Sequence, residues 1–247
     1  MHSGLKKQLK RFRFVKRLGS YLNNRLEIDD FVYDALRKIP SGAILLDAGC
    51  GDQPYKELCS HLEYRSQDFG KYANDLKETI HGGRGLHGDS VYKYGHLDYT
   101  GDVWNIAEKD EYFDAILCTE VFEHIPYPAE TLQEFSRLLK PGGKLIVTAP
   151  SNCLRHMDPY YFYSGFSDRW FEHFLAEFEF TIEEINTIGD YYRWIGVEIK
   201  RTMSNNSILA KIFLFPTFLY FYNKKESEAS INSLSIGYHV VAKKRMV

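Results

Sequence analysis

Apolar positions along this chain follow two rhythms, and the changes between them mark its elements. Short unbroken apolar runs bounded by turn residues, with Ile44-Leu45-Leu46 and Ala115-Ile116-Leu117-Cys118 the clearest, suit strands buried on both faces of a parallel sheet. Strands are predicted near 43–48, 63–68, 96–101, 113–118 and 144–149, and two more near Phe180–Ile188 and Ser235–Lys243. Helical spacing takes over between them. Leu132, Phe135, Leu138 and Leu139 share one face, with Pro128 in the first turn and Pro141-Gly142 past the end. Another helix is predicted near Ile28–Lys38. Strands alternating with helices give an α/β fold with a doubly wound, Rossmann-like sheet.

Two stretches stand outside this alternation. In residues 1–18, Leu5, Leu9, Phe12, Val15 and Leu18 recur at helical spacing. Lys6, Lys7, Lys10, Arg11, Arg13, Lys16 and Arg17 fill the other faces, and Gly19-Ser20 is expected to end or kink the helix. Such a helix can be a solvated face or a patch for anionic membrane lipid. Ile208–Tyr222 is apolar around nearly its whole circumference but shorter than the roughly 20 residues a spanning helix needs. It reads as a buried or capping helix, with homodimer packing or shallow membrane contact as the other uses. The Gly-rich run His81–Gly88 is predicted to be a loop.

Composition narrows the class. A chain of 247 residues, 44% hydrophobic, can bury one substantial core. Its net charge of −2 argues against nucleic acid as a partner. Cys50, Cys59, Cys118 and Cys153 form no C-x-x-C pair and read as reduced thiols. The basic N-terminus lacks the apolar core of a secretory signal, so a cytoplasmic location is expected, with the inner membrane face as a peripheral site.

The chemistry begins at Ile44-Leu45-Leu46-Asp47-Ala48-Gly49-Cys50-Gly51, an apolar strand running into an acid and a Gly-x-Gly turn. A dinucleotide fingerprint would place a third glycine at position 54, where this chain has proline. Four further segments follow: Tyr64–Asp68, a strand ending in an acid; Gly101-Asp102-Val103-Trp104; Phe113–His124, closing on a Glu-His pair; and Leu138-Leu139-Lys140-Pro141-Gly142-Gly143 leading into Lys144–Val147. In this order they resemble the class I S-adenosylmethionine-dependent methyltransferases over roughly residues 26–247. The resemblance implies a seven-stranded sheet, mostly parallel, with an antiparallel C-terminal edge hairpin. It also implies S-adenosyl-L-methionine as cofactor, with Asp47, Gly49, Cys50 and Gly51 at its methionine and ribose end. Asp68 would accept from the ribose hydroxyls, Asp102 from the adenine amino group with Val103 against the ring, and Thr119 closes the site. Residues 1–25 then form an appended basic helix, with an acceptor lid near 151–175 and an apolar helical insertion near 190–222.

Glu120, Glu123 and His124 fall at helical spacing after the fourth strand, and His156 lies in the loop after the fifth. His124 or His156 can serve as a general base. Glu120, Glu123, His124 and His156 together can instead hold a divalent cation, magnesium or manganese. The Glu-x-x-Glu-His pattern resembles the magnesium-dependent O-methyltransferases of ubiquinone biosynthesis and, with a downstream His, the small-RNA 3′-end 2′-O-methyltransferases. The aromatic stretch Asp158–His173 resembles a bacterial methyltransferase subgroup linked to surface-polysaccharide and other glycan pathways, and assigns Tyr160 and Tyr163 to the acceptor pocket. O-methylation of a small-molecule or glycan acceptor is therefore the leading expectation. RNA 2′-O-methylation, or a membrane-associated cofactor-binding scaffold subunit without catalysis, are the alternatives.

Overall fold

A computed structural model describes residues 13–71, 94–204 and 206–246. The expected loop at 81–88 and the first twelve residues of the basic N-terminal segment lie outside that set. Strand β1 (Ile44–Ala48) sits between β2 (Glu63–Asp68) and β4 (Phe113–Thr119), parallel to both. With β3 (Tyr99–Thr100), β5 (Leu139–Pro150), β6 (Phe180–Ile188) and β7 (Gly237–Lys244) it forms a seven-stranded sheet of order β3-β2-β1-β4-β5-β7-β6. β7 runs antiparallel to β5, as expected of the closing strand. Leu45, Leu46, Ile116 and Leu117 are fully buried because both faces of the central strands are covered, which is why they read as unbroken apolar runs.

Three elements depart from their predicted limits. β3 spans two residues rather than 96–101, because the Asp98 carboxylate takes the Ser66 amide (2.8 Å) that a strand carbonyl would otherwise accept. β5 starts at Leu139, earlier than 144: the Pro141-Gly142 segment is absorbed as a register shift against β4 between Phe113 and Ala115. The helix at the N-terminus, α1 (Arg13–Leu22), runs through Gly19-Ser20 instead of stopping there. A glycine costs a helix only about 1 kcal/mol, and here the Asn23 amide still bonds the Gly19 carbonyl at 3.0 Å. Helix α2 follows at Arg25–Leu36, α3 at Pro128–Leu138 and α4 at Asp168–Glu177.

The chain forms two compact units. One joins Val32–Asn186 to the segment from Gly237 on, and holds most of the sheet. The other joins the chain up to Phe31 to Thr187–Ile236, with helices α5 (Tyr191–Ser204), α6 (Ile208–Tyr222) and α7 (Glu228–Ser233). Arg193 is the hub of that helical unit. It is buried, paired with Glu27 at 2.6 and 2.9 Å, and donates to the carbonyls of Ser20 and Tyr21. Those bonds, with the Tyr21 ring edge-on to Tyr222 at 4.9 Å, outweigh the glycine in α1.

Candidate functional site

At the carboxyl end of β1 the chain turns on Gly49 and Gly51, both in the left-handed region (φ 70° and 55°). Gly49 has a second reason to be glycine: a Cβ there would stand 2.4 Å from Cγ2 of Val121. The turn is pinned from β2. The Gly51 amide donates to Asp68 Oδ2 at 3.0 Å, and the Gly70 amide to Asp68 Oδ1 at 3.0 Å. Tyr94 adds a third bond to the same carboxylate. Burial raises the Asp68 pKa while these donors lower it. The Phe69 amide donates as well, so the roughly four lone-pair sites of this carboxylate are taken, and a ligand diol would reach it by displacing a present donor.

Asp47 is buried, accepts from the Tyr64 hydroxyl at 2.6 Å, and is pushed up to about 7 by burial, against the pull of that hydroxyl. Cys50 is buried, its thiol pKa pushed far up by burial, so it contributes a backbone and no nucleophile. Asp102 is exposed just past β3, Val103 beneath it is buried, and Trp104 packs edge-on to Tyr127 at 5.3 Å. Asp98 competes with Asp102 for this role in the sequence, but its carboxylate is committed to the Ser66 amide and hydroxyl at 2.8 and 2.9 Å.

Beyond β4 the expected helical turn starts later than Glu120. Thr119 ends the strand, Glu120 is left-handed (φ 52°), and a short 3-10 turn spans Phe122–His124. Glu120 is thereby carried away from its neighbours. Its carboxylate accepts from the Thr148 hydroxyl at 2.9 Å, and the group that does converge is Glu123, His124 and His156, whose ligand atoms lie within 4.8 Å of one another. His124 Nδ1 lies 2.6 Å from the Tyr160 carbonyl, and His156 Nδ1 lies 2.8 Å from the Leu154 carbonyl. A carbonyl only accepts, so in the neutral rings both Nδ1 carry the proton and both Nε2 offer lone pairs. Burial lowers His124 to about 4, which keeps it neutral near pH 7, and raises the Glu123 carboxyl well above its ordinary range. Glu123 Oε2 is buried with no hydrogen-bond partner among the described residues.

The segment expected to form an acceptor lid hangs on this same turn. The Phe162 amide donates to the Glu123 carbonyl at 2.9 Å, and the Tyr163 hydroxyl to the Pro126 carbonyl at 3.1 Å. The Tyr160 ring meets Phe69, one residue past Asp68, edge-on at 4.8 Å. The lid returns to β5 at Gly165 (φ 150°), where a Cβ would fall 2.2 Å from the Ser151 carbonyl oxygen. Phe166 and Phe171 are core residues.

Gln67 escaped the sequence reading. It accepts from the Gly49 amide at 3.1 Å and donates to the Gly101 carbonyl at 2.6 Å, joining the first turn to the acidic third one. Its signal was present: Ser66-Gln67-Asp68 puts three polar residues in a row in a buried strand. Tyr64 and Thr148, which anchor Asp47 and Glu120, carried no comparable mark.

A family model described as a methyltransferase domain matches residues 21–193. Among curated proteins, the chain is 34% identical over 118 residues to a ubiquinone biosynthesis O-methyltransferase of Xanthomonas oryzae pv. oryzae (strain PXO99A), covering 47% of this chain and 46% of that one. The protein of the same description from Xylella fastidiosa (strain 9a5c) is 33% identical over 121 residues, covering 48% and 46%. The chain thus spans about half the length of the curated relatives it matches. In fold it resembles the [4+2]-cyclase SpnF (TM-score 0.52, 17% identity, 88% of this chain and 81% of that one). It also resembles a protein of Bacillus halodurans C-125 described as a methyltransferase (TM-score 0.51, 16% identity, 88% and 100%).

Proposed function

We propose that this chain, which belongs to the class I S-adenosylmethionine-dependent methyltransferase family, carries out O-methylation of a small molecule, with a ring hydroxyl of a quinone precursor as the leading acceptor class. The observation that carries the reading is the convergence of Glu123, His124 and His156 at the end of β4. Val121 of the same segment abuts the Gly49 turn, so the cluster belongs to the mouth where the cofactor would sit. The named activity of the relatives supports the acceptor class.

The residues present fit S-adenosylmethionine. The Gly49–Gly51 turn offers backbone with no Cβ in the way, Asp68 a strand-end carboxylate that a ribose diol would reach by displacing one of its donors, and Asp102 an exposed acceptor for an amino group. When bound, the cofactor supplies an electrophilic methyl group on a sulfonium. The protein's part is to align the acceptor oxygen and receive its proton. Glu123 suits that role: a buried carboxylate with an unpartnered oxygen and a raised pKa is a competent proton acceptor near neutral pH. The carboxylate and the two imidazoles, whose ligand atoms converge, also fit a divalent cation. Glu123, His124 and His156 would hold it, without Glu120, and it would lower the pKa of an acceptor hydroxyl.

Methyl-labelled cofactor incubated with hydroxylated aromatic acids and with nucleotide sugars tests the reading. Label is expected in the aromatic ring ether, abolished by chelator and restored by magnesium or manganese. Glu123→Gln or His156→Ala is expected to lower turnover at least a hundredfold with cofactor affinity kept. Full turnover in chelator, falling at acid pH, would mean a metal-free base, Glu123 if Glu123→Gln abolishes it and a histidine if only His124→Ala or His156→Ala does. Exposed Phe162 and Tyr163 also suit stacking on a sugar, so label confined to nucleotide sugars would establish a glycan acceptor instead.

A further inference from the structure

Helix α6 is apolar all round, yet the helical unit covers only one stripe of it. Phe218 and Tyr222 are buried, with Ala210, Leu214 and Phe221 partly so, and the rings of Phe218 and Tyr222 pack on Tyr21. The opposite stripe is open: Ile208, Leu209, Ile212 and Phe213 are 60–77% exposed, and Phe215, Leu219 and Tyr220 are 40–58% exposed. Together these side chains expose on the order of 700 Å² of apolar surface, above what a monomer ordinarily leaves in one patch. A helix hydrophobic on every side is normally buried, so something other than this unit covers the stripe.

Charge says what. Lys200 and Arg201 end α5, Lys211 sits in the first turns of α6, and Lys224 and Lys225 follow its end. Of the nearby acids, Glu198 is paired with Arg201 at 3.1 Å, and Glu226 and Glu228 come after the second basic pair. Beside the helix lies a cavity of about 790 Å³ walled by Met203, Ile212, Phe215 and Pro216, with Lys200 and Lys211 in its lining. An apolar floor beside ammonium groups matches a phospholipid, whose acyl chain and anionic headgroup carry the same two chemistries. No described helix is long and apolar enough to cross a membrane. At 15 residues α6 measures only about 22 Å. Pro216 lacks the N–H that would bond the Ile212 carbonyl, which suits the polar headgroup layer better than the hydrocarbon interior.

We propose that the exposed stripe of α6, with the adjoining cavity, is a docking surface for an anionic phospholipid bilayer, the helix lying in the plane of the headgroups. Phe213, Leu209 and Ile212 enter the acyl boundary while Lys200 and Lys211 meet phosphate. The inference goes beyond the catalytic reading and does not depend on which acceptor is methylated.

Flotation of the full chain with vesicles of phosphatidylcholine alone, or with one third phosphatidylglycerol, tests it. The chain is expected to float with the anionic vesicles, less so as salt rises. Lys200→Glu and Lys211→Glu should each weaken binding about fivefold or more. Leu209→Ser with Phe213→Ser, at positions already exposed to water, should weaken it more than tenfold while the far-ultraviolet spectrum and cofactor affinity stay unchanged. Binding kept by the double variant would overturn the proposal and assign the contact to the basic N-terminal segment. Absence of flotation, with a dimer in solution that the double variant dissociates, would overturn it in favour of a second copy covering the helix.

Discussion

Asp47 and Gln67 show how single buried polar residues set the behaviour of the cofactor turn. A native carboxyl pKa of about 7, above the ordinary 3.8, means that the folded state holds the proton more tightly than the unfolded chain. The stability this confers is full below pH 3.8 and lost as pH rises through 7. Asp47→Asn removes the penalty. It should raise the melting temperature of the cofactor-free protein at pH 8, by roughly 1–3 kcal/mol of stability, and leave it unchanged at pH 3, below both values. An equal effect at both pH values would mean that the carboxyl is not protonated by burial. Gln67 contributes differently, by satisfying two backbone groups of separate loops. Gln67→Leu leaves the Gly49 amide and the Gly101 carbonyl without that partner, at a cost of about 2–4 kcal/mol. Cofactor affinity should fall about tenfold or more, as titration of the variant would show.

Elements were legible where one local rule decided them. β1, β2 and β4 fall within a residue or two of their expected limits, because buried parallel strands and turn residues announce themselves. The misses have a common cause, a distant group replacing a local one. The Asp98 side chain takes over a ladder bond and shortens β3, while the Thr148 hydroxyl holds Glu120 away from the turn that spacing alone would give it. Spacing placed Glu123 and His124 together, and brought His156 near only through the assumption that neighbouring strand ends adjoin. The carbonyls that fix both imidazole tautomers belong to lid residues, invisible to any motif. The lid also depends on one glycine. Gly165→Ala would drive a Cβ into the Ser151 carbonyl, displacing the lid from β5. Acceptor turnover should drop at least tenfold with cofactor affinity nearly intact. Loss of both together would show that the lid also shapes the cofactor site.

On the scale of the whole molecule, the sheet accounts for why Gly49, Gly51, Asp68, Asp102 and Glu123 share one edge: each lies at or just past the carboxyl end of a parallel strand, where open α/β sheets take their ligands. The fold alone does not fix the reaction, since a [4+2]-cyclase has a similar one, so the activity rests on the site. Ligand binding to the native state should stabilise the chain with the logarithm of ligand concentration, by about 2.7 kcal/mol at a hundredfold excess over the dissociation constant. Everything proposed for the acceptor depends on that occupancy. Calorimetric titration with S-adenosylmethionine is therefore the decisive measurement. The account predicts one site per chain, weakened at least tenfold by Asp102→Ala in a variant that melts at the wild-type temperature. An absence of binding heat at every temperature tried, or an Asp102→Ala variant that binds as tightly as wild type, would contradict it.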